Sequence, residues 1–541
     1  MRRALGTIAT ALAATLCVPP GPAIAAPVAP VAGHLTTAGS APSAAGSAPS
    51  TLAQTGHDHT AGAALPPGGH HPHHPVVRTD RGLVRGLRDG GVDSFLGIRY
   101  AAAPVGELRW RAPRPAQRWD GVADATAYGD RCAATASGNG PRTEAEDCLF
   151  VNVQRPARGS GTLPVYVFIH GGGLTNGSSN QADMAAIVRQ TGVVGVSFNY
   201  RLGVLGFLGH PGLTAESGES GNYGFQDQQA ALGWVRRNIA AFGGDPQRVT
   251  VGGESAGGWS VCGHLVAPGS QRLFARAMMQ SGSCLTRTLA AAETAGQALA
   301  AAVSCTDVAC LRQLPAGTLI DAPSGQVAVV RGTPTLPPDP RQAVAAGQFA
   351  RVPIVVGATR DEGRTFAQGF IGATRQTYEA WVGDERVLAR YPWPAESDQF
   401  TAAYLAGAVM TDSGMIAGIG GCAQRLLTRD FARWTPTWAY EFAHRTGPGL
   451  TPIPGYVWGA GHAAELAYLF PSFDNGTPIA PTFDAGERRL ARDMKNHWAS
   501  FVRGQAPWPR GGILSLRAGG QSRMITDARY AAQHQCGFWT P

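Results

Sequence analysis

The sequence predicts an α/β protein in which helices flank a central, mostly parallel sheet, with large loop and helical insertions between the elements. Short apolar runs typical of buried strands alternate with segments of helical periodicity, which favours this fold class. A Gly-x-Ser-x-Gly motif directly follows one such run, and three consecutive glycines follow closely on another. Because active sites of parallel sheets lie beyond the carboxyl ends of the strands, both motifs are candidates for functional residues.

Residues 1–25 are predicted to be a cleaved signal peptide, so we expect a secreted protein. Two arginines precede an apolar stretch over residues 4–18, and Ala-Ile-Ala at 23–25 offers a cleavage site of small residues. A membrane anchor is the alternative interpretation, but the apolar stretch is shorter than the ~20 residues that cross a bilayer. Export without a stable membrane span is therefore favoured.

Residues 26–75 are predicted to be a disordered tether. Alanine, glycine, serine, proline and histidine dominate this segment, and little apolar material remains to offset the entropy of folding. A metal-binding tract is an alternative, but no cysteine or carboxylate cluster accompanies the histidines, so a solvated spacer is favoured. These histidines are His57, His59, His70, His71, His73 and His74. Residues 76–541 are then predicted to form one large domain.

Hydrophobic content, net charge and cysteine count together favour a globular protein of an oxidising compartment that does not bind nucleic acid. Hydrophobic residues make up 44% of the 541-residue chain, which is ample for a core. The formal net charge of +8 is spread along the chain without a dense basic run, so nucleic acid is not an expected partner. Of nine cysteines, removal of Cys17 with the leader leaves eight, an even number that suits an oxidising compartment. Cys305 and Cys310 are close enough to bridge a short loop.

The predicted sheet is built from six apolar runs, each short enough for a buried strand. Between the second and third runs, apolar residues recur at helical spacing within a predicted helix over residues 222–241. A second helix is predicted over residues 485–502. The six predicted strands are residues 165–169, 193–198, 248–251, 276–279, 352–357 and 437–442.

Ser255 is the candidate nucleophile, in the run Gly253-Glu254-Ser255-Ala256-Gly257. A serine on a sharp turn from strand to helix projects its hydroxyl from the backbone, and the turn closes only if the residues two positions away are small. Gly253 and Gly257 meet that demand, and a helix that opens at Ala256 would favour negative charge near the hydroxyl. A chance glycine- and serine-rich loop is the alternative reading of the motif alone.

A serine that attacks a carbonyl also needs hydrogen-bond donors for the oxyanion. The strand that ends near residue 169 leads into His170 and three glycines, whose backbone N–H groups could approach a substrate oxygen unobstructed. We expect an oxyanion hole formed by the N–H groups of Gly172, Gly173 and Ala256. A phosphate cradle is the alternative, but no Gly-Lys-Ser/Thr follows the glycines.

The serine further needs a base, and the base needs a carboxylate to orient it. His462 is favoured as the base because it lies in a glycine-rich loop, whereas His264, His444 and His497 are better explained as structural; His534 is the fifth histidine after the serine. The acid is ambiguous on chemistry alone. Either carboxylate of Asp361-Glu362-Gly363 could hold an imidazole, and Asp361 could instead cap the following turn.

Over residues 77–536 the chain resembles the type-B carboxylesterase and lipase family, the cholinesterase-like branch of the α/β-hydrolases. The two most specific elements are Glu-Asp-Cys-Leu at 146–149 and the serine motif, which occur in the order and spacing of the family. The motifs that carry the resemblance are residues 95–101 (FLGIRYA), 146–153 (EDCLFVNV), 170–173 (HGGG), 199–203 (NYRLG), 221–224 (GNYG) and 253–258 (GESAGG).

This resemblance implies an α/β-hydrolase fold, Glu362 as the acid and His462 as the base. It also implies four disulfides. The resemblance suggests Cys132–Cys148 and Cys422–Cys536, with Cys305–Cys310 as the short bridge, and Cys262–Cys284 then pair by exclusion.

Two departures from the family pattern bear on substrate choice. Leu174 replaces an aromatic residue that many relatives place after the glycines, which predicts an altered acyl pocket. The loop between Cys132 and Cys148 contains no aromatic residue, whereas cholinesterases place there a tryptophan that binds a quaternary ammonium. A choline ester is therefore not expected as the natural substrate.

Together these features predict a secreted serine hydrolase that cleaves a small-molecule or lipid-like ester through an acyl-enzyme. No metal and no organic cofactor are implied. One alternative is an acyltransferase that uses the same triad with another acceptor. A second is a non-catalytic adhesion or binding homologue, which the complete set of serine, glutamate, histidine and glycines disfavours.

Overall fold

The computed structural model describes residues 74–158, 161–449, 453–473 and 479–540. The predicted signal peptide and all but the last two residues of the predicted tether lie outside these ranges. The described chain forms sixteen strands. They are β1 Val76–Arg78, β2 Leu83–Arg85, β3 Leu87–Asp89, β4 Val92–Arg99, β5 Val122–Asp124, β6 Phe150–Pro156, β7 Leu163–Ile169, β8 Val194–Phe198, β9 Gly244–Glu254, β10 Arg276–Gln280, β11 Thr286–Thr288, β12 Val329–Arg331, β13 Ile354–Thr359, β14 Thr437–Phe442, β15 Ile513–Leu516 and β16 Arg523–Ile525.

An eleven-stranded sheet forms the centre, in the order β16-β15-β14-β13-β10-β9-β7-β8-β6-β4-β3. The strands from β15 to β8 in that order run parallel to one another, and the strands at both edges pair antiparallel. All six predicted strands occur, and they belong to the parallel centre. The predicted fold class is therefore confirmed, with antiparallel edges that the apolar runs did not reveal.

The described helices are α1 to α18, and short 3₁₀ turns occur between some of the elements. Residues 223–238 and 485–502 lie in helices at the positions predicted, the first with a 3₁₀ turn in place of its last residues. The helices are α1 Ala185–Thr191, α2 Gly203–Phe207, α3 Pro211–Ser217, α4 Tyr223–Asn238, α5 Ala256–Val266, α6 Leu289–Ala302, α7 Val308–Gln313, α8 Ala316–Asp321, α9 Pro340–Ala345, α10 Gly363–Phe366, α11 Arg375–Val382, α12 Glu385–Arg390, α13 Thr401–Ser413, α14 Gly421–Ala432, α15 Leu466–Leu469, α16 Ala485–Val502, α17 Asp527–Gln533 and α18 Cys536–Trp539.

Helix α16 shows why these segments fold as they do. The Asp484 side chain accepts a hydrogen bond from the Glu487 N–H at 2.7 Å, and the Glu487 side chain accepts one from the Asp484 N–H at 2.8 Å. This capping box satisfies two N–H groups at the helix start. Leu490, Met494 and Trp498 then recur every four residues and are buried, so one face of the helix packs on the sheet.

Alternate residues of the central strands enter two different apolar cores. Val167 and Ile354 belong to one core, whereas Phe168 and Val355 belong to the other. Successive side chains of a strand point to opposite faces of a sheet, so both faces are covered, as expected for a parallel sheet. Among the described helices, none combines the length and apolar character needed to cross a bilayer.

The pairing of β7, β9 and β10 positions the two glycine motifs. Strand β9 lies between the other two and is parallel to both, with Gly252 opposite Phe168 and Glu254 opposite Gln280. The carboxyl ends of β7 and β9 therefore meet at one edge of the sheet. Ser255 and the glycines at 171–173 leave the sheet side by side.

Candidate active site

Ser255 lies on a strained turn between β9 and α5. Its backbone φ is +56°, in the left-handed region, and the helix begins at the next residue. A Cβ atom added at Gly253 would lie 2.5 Å from the carbonyl carbon of Gly257, and one added at Gly257 would lie 2.1 Å from the Ile169 oxygen. Both contacts are with backbone that cannot move aside. The turn therefore requires glycine two positions before and two positions after the serine.

His462 is held by Glu362. The His462 Nδ1 atom lies 2.6 Å from Glu362 Oε2, and both side chains are buried. The other carboxylate oxygen, Oε1, accepts a hydrogen bond from the Thr359 N–H at 2.8 Å. Glu362 follows strand β13, so the sheet fixes the carboxylate and the carboxylate fixes the ring. The other ring nitrogen, Nε2, therefore points away from the Glu362 carboxylate.

Ser255 and His462 line one cavity of about 500 Å³, together with Gly172 and Gly173. The serine is 8% exposed and the histidine 7% exposed, so water has little access to either. Phe366, which also lines the cavity, packs its ring at 4.9 Å from the His462 ring. The sequence-predicted nucleophile, base and oxyanion glycines Gly172 and Gly173 thus line a single cavity.

The glycine turn after β7 adopts backbone conformations that favour glycine. The φ angles of Gly172 and Gly173 are +99° and +65°. A Cβ at Gly172 would lie 2.3 Å from the Asn176 oxygen, so space as well as conformation excludes a side chain there. The Gly172 oxygen accepts hydrogen bonds from the N–H groups of Thr175 and Asn176, each at 3.0 Å. The third predicted donor, Ala256, is the fully buried first residue of α5.

His170 begins this turn and is neutral. Its Nδ1 atom lies 2.9 Å from the Gly171 oxygen, and its ring stacks on Tyr200 at 4.4 Å. Burial lowers the pKa of His170 to about 4. Its Nε2 atom is buried without a hydrogen-bond partner among the described residues. Because Nδ1 faces a carbonyl oxygen and must donate, Nε2 carries a free lone pair.

Two further carboxylates surround His462, and sequence reasoning gave neither a role. Glu254 Oε1 lies 3.2 Å from His462 Nε2, as an ion-pair contact without a hydrogen bond to that oxygen. Glu465 is completely buried and accepts a hydrogen bond from Gln280 Nε2 at 3.3 Å. Glu254 directly precedes the serine in the motif. Its position at the end of a strand was the one feature of the sequence that could have predicted a place in the site.

This cluster shifts the pKa values of its members. Burial raises the pKa of Glu254 to about 8 and that of Glu465 to about 7. Burial alone would lower the pKa of His462, but the charges of Glu254 and Glu362 outweigh it and raise the pKa to about 9. Since Glu254 and His462 are in contact, their protons are lost as a coupled pair.

Asp361, the alternative acid, does not contact the imidazole. Its Oδ2 atom accepts hydrogen bonds from the Ala460 N–H at 3.0 Å and from Arg445 Nε at 2.8 Å. Its own N–H donates to the Ala460 oxygen at 2.8 Å. Asp361 therefore holds the loop that carries His462, while the neighbouring Glu362 holds the ring.

The remaining histidines after the serine have other partners. His264 lies 2.7 Å from Ser270 Oγ and 3.0 Å from Gln228 Oε1, and burial lowers its pKa to about 3. His444 contacts a carboxylate, Glu487, at 3.0 Å. The His497 ring contacts a backbone carbonyl oxygen at 2.9 Å.

His534 forms a second buried cluster with two carboxylates. Its Nδ1 atom lies 2.8 Å from Asp412 Oδ1, and its Nε2 atom lies 2.9 Å from Glu441 Oε1. Burial lowers its pKa, but the two carboxylates outweigh that effect and raise it to about 9. The cluster ties the C-terminal segment to α13 and β14. It is not among the groups that line the cavity of Ser255.

The four disulfides join the pairs that the resemblance implied: Cys132–Cys148, Cys262–Cys284, Cys305–Cys310 and Cys422–Cys536. Cys262 lies on α5, so that bridge ties the helix after the serine to the segment after β10.

Leu174 does not lie where an effect on the acyl pocket would require it. Its side chain is fully buried in the core and is not among the residues that line the cavity, so it does not shape a pocket directly. Within the described residues, no group of three or more histidine, cysteine, aspartate or glutamate side chains is arranged so that it could hold a metal ion.

Comparison with known proteins gives consistent matches. Residues 73–517 match the model of the family described as the carboxylesterase family. The chain is 36% identical over 475 residues to fumonisin B1 esterase of Sphingopyxis macrogoltabida, covering 80% of this chain and 84% of the relative. It is 33% identical over 475 residues to para-nitrobenzyl esterase of Bacillus subtilis strain 168, and the match covers 81% of this chain and 92% of the relative. A solved structure of a thermophilic PNB esterase aligns with a TM-score of 0.71 at 28% identity, covering 85% of this chain and 100% of that one.

Proposed function

Because the chain belongs to the carboxylesterase family and is a carboxylic ester hydrolase with an α/β-hydrolase fold, we propose that it cleaves its ester through an acyl-enzyme on Ser255. His462 acts as the base and Glu362 as the acid of the triad. One observation carries this assignment: Glu362 holds His462 Nδ1 at 2.6 Å, and the His462 ring lines the same cavity as Ser255. Acyl transfer by a serine requires this pairing of a nucleophile with an oriented base.

In the first half of the reaction, His462 Nε2 accepts the hydroxyl proton of Ser255 as Oγ bonds to the ester carbonyl carbon. The carbonyl oxygen takes up the electron pair and becomes the oxyanion. The bond from carbon to the alcohol oxygen then breaks, and the imidazolium gives its proton to that oxygen. Glu362 stabilises the imidazolium and keeps the ring oriented without being protonated itself.

In the second half, water replaces the serine as nucleophile. His462 accepts a proton from the water as its oxygen bonds to the acyl carbon, and the imidazolium returns the proton to Ser255 Oγ when the acyl bond breaks. The products are a carboxylic acid and an alcohol. The cycle uses only the ester, a water molecule and the groups named above.

The N–H groups of Gly172, Gly173 and Ala256 stabilise both oxyanions. Their contribution arises because the donors are fixed before the reaction by the turn geometry and by the start of α5. Loss of one donor costs roughly 3 kcal/mol of transition-state stabilisation in comparable hydrolases. The positive φ values of both glycines support their assignment, since an L side chain there would displace the donors.

A Ser255→Ala variant tests the proposal. Its turnover of a short-chain chromogenic ester should fall by about 10³-fold or more, because the nucleophile is lost and only binding and the oxyanion hole remain. A fluorophosphonate probe should label the parent and not the variant, which also excludes a non-catalytic binding homologue. Undiminished turnover by the variant would remove Ser255 from the mechanism. Product analysis with competing alcohols separates hydrolysis from acyl transfer.

We further propose that the protein is exported and that residues 1–25 are removed. The four disulfides support an oxidising compartment, because such bridges persist there and are rare in the cytosol. N-terminal sequencing of the protein from culture medium should begin near residue 26. Recovery of the intact leader in a cell-associated protein would contradict export.

A further inference from the structure

One wall of the Ser255 cavity carries three amide side chains. They are Asn139 from the Cys132–Cys148 loop, Asn176 from the turn after the glycines, and Gln181 from the 3₁₀ turn Ser179–Gln181. Gln181 Nε2 donates to Asn139 Oδ1 at 3.3 Å, and Asn139 Nδ2 donates to Asn176 Oδ1 at 2.6 Å. Three separate segments therefore meet in one hydrogen-bonded row, the amide wall.

The loop that supplies Asn139 is braced. Its backbone N–H donates to Ser137 Oγ at 3.1 Å, and Ser137 and Gly140 exchange two backbone hydrogen bonds at 3.0 Å. The Asn139 carbonyl accepts a hydrogen bond from Arg131, and the Cys132–Cys148 disulfide closes the loop. The amide is thus presented to the cavity in a fixed position, which lowers the entropy lost when a ligand binds it.

The amide wall has unused hydrogen-bonding capacity. Each terminal NH₂ group has two hydrogens, and the Asn139 and Gln181 groups each use one in the row. Gln181 Oε1 has no hydrogen-bond partner among the described residues. The cavity therefore offers both donors and acceptors to an occupant.

The rest of the lining is largely apolar, with Phe366, Met415, Ile416 and Phe470 among its members. Among the described residues that line the cavity, none is a lysine or an arginine, and Glu254 adds a carboxyl group near the serine. An anionic group would find no lysine or arginine to pair with there, and the His462 ring is already held between Glu362 and Glu254, so the polar wall suits an uncharged group.

From these observations we propose that Asn139, Asn176 and Gln181 select esters that carry a neutral hydroxyl group within reach of the amide wall. This inference rests on the proposed hydrolysis at Ser255. A hydroxyl both donates and accepts, which matches the free groups of the wall. An alkyl chain of the same length would displace water and leave those groups unpaired, which is the usual basis of such discrimination. The wall is a specificity determinant and takes no part in the bond changes.

The test compares isosteric esters that differ only by a remote hydroxyl. On the acyl side the pair is methyl 6-hydroxyhexanoate and methyl heptanoate; on the alcohol side it is 4-hydroxybutyl acetate and pentyl acetate. For each pair the readout is the ratio of kcat/KM values, measured by titration of released acid. Asn139→Ala should lower the ratio of hydroxylated to alkyl ester by about fivefold in at least one pair, as expected for one neutral hydrogen bond. The affected pair identifies the side that the wall serves.

Thr135→Ala is the matched control, because Thr135 is exposed on the same loop and does not line the cavity. Its ratios should equal those of the parent. Gln181→Leu provides an independent variant on a different segment, so the test survives if Asn139→Ala fails to fold. Active-site titration with a fluorophosphonate probe corrects each rate for the fraction of folded enzyme.

Unchanged ratios in both pairs for a folded Asn139→Ala or Gln181→Leu variant would overturn the role of the amide wall while leaving ester hydrolysis intact. Failure of the proposed function gives a different result. In that case Ser255→Ala would retain turnover of all four esters, and the probe would not label the parent.

Discussion

Replacing Glu254 with glutamine is expected to move the acid limb of the kcat/KM profile to lower pH. The Glu254 carboxyl lies 3.2 Å from His462 Nε2, and both side chains are buried. Its negative charge favours the imidazolium, which cannot accept the serine proton, so the carboxylate raises the pKa that governs activity. Glutamine keeps the size and removes the charge. His462 should therefore become a competent base at lower pH.

The contact distance sets the size of the effect. Two unit charges at 3.2 Å interact by about 5 kcal/mol when the effective dielectric constant is about 20. Burial raises the pKa of Glu254 to about 8, however, so its carboxyl is mostly protonated near neutral pH and only part of that interaction acts there. We therefore expect the acid limb to move down by about 1 to 2 pH units.

The assay is the pH dependence of kcat/KM for a short-chain chromogenic ester, since that parameter reports the free enzyme. Glu465→Gln is a graded control. Its carboxyl contributes less to the pKa of His462, so the limb should move in the same direction by a smaller amount. Glu107→Gln, on an exposed position outside the cavity, should leave the profile unchanged. An acid limb that stays in place or rises in Glu254→Gln would refute the reasoning.

Three further outcomes follow from the packing. The raised pKa of His534, about 9 in the folded protein, means that its ion pairs stabilise the fold fully below about pH 6.5 and lose that effect as pH rises through about 9. His534→Gln should therefore lower the free energy of unfolding by about 3 kcal/mol at pH 6.5, and the difference should shrink above pH 9 in denaturant titrations. Gly257→Ala should destabilise the protein by about 2 kcal/mol or more and abolish probe labelling, because the new Cβ would lie 2.1 Å from the Ile169 oxygen. Replacing Cys422 and Cys536 by serine should cost about 4 to 5 kcal/mol, since the bridge spans 114 residues.

Two of these outcomes have a matched control, and the third is checked by the pH dependence itself. A His534→Gln variant equally destabilised at low and high pH would contradict the ionic account. Gly233→Ala places a Cβ 3.4 Å from the flexible end of Arg237 within α4, so it should be neutral or stabilising. Removing the Cys305–Cys310 bridge, which spans 5 residues, should cost less than removing the long one. Equal losses from both bridges would argue against the chain-entropy explanation.

The parallel centre of the sheet was predictable because most of its strands contain a continuous apolar run that is buried on both faces. The edge strands were not, for a physical reason. Strand β4 alternates buried with partly exposed residues and shifts register between Phe95 and Ile98, so no continuous apolar run marks it. Strand β9 extends from Gly244 to Glu254, beyond the predicted 248–251, because glycines and a carboxylate at its end are held by pairing rather than by propensity.

The candidate site divides in the same way. The turn at Ser255 was predictable from the local sequence, because the backbone geometry of the turn requires the glycines of the motif. The local sequence does not distinguish Asp361 from Glu362 as the acid, since both are carboxylates at the end of one strand. Their different partners depend on the path of the loop, which places the Ala460 N–H against Asp361 and the His462 ring against Glu362. The burial of Glu254 depends on packing across the sheet, which no local pattern reports.

The most direct measurement is the site of covalent attachment of a fluorophosphonate. The intact protein should gain the mass of one phosphonyl group, and peptide mass mapping should place it on Ser255, with Ser260 and Ser270 in the same region unmodified. His462→Ala should slow the labelling without changing its position, because the base activates the same hydroxyl. A stoichiometric adduct on any other residue, or none on a folded protein that still hydrolyses esters, would contradict the account.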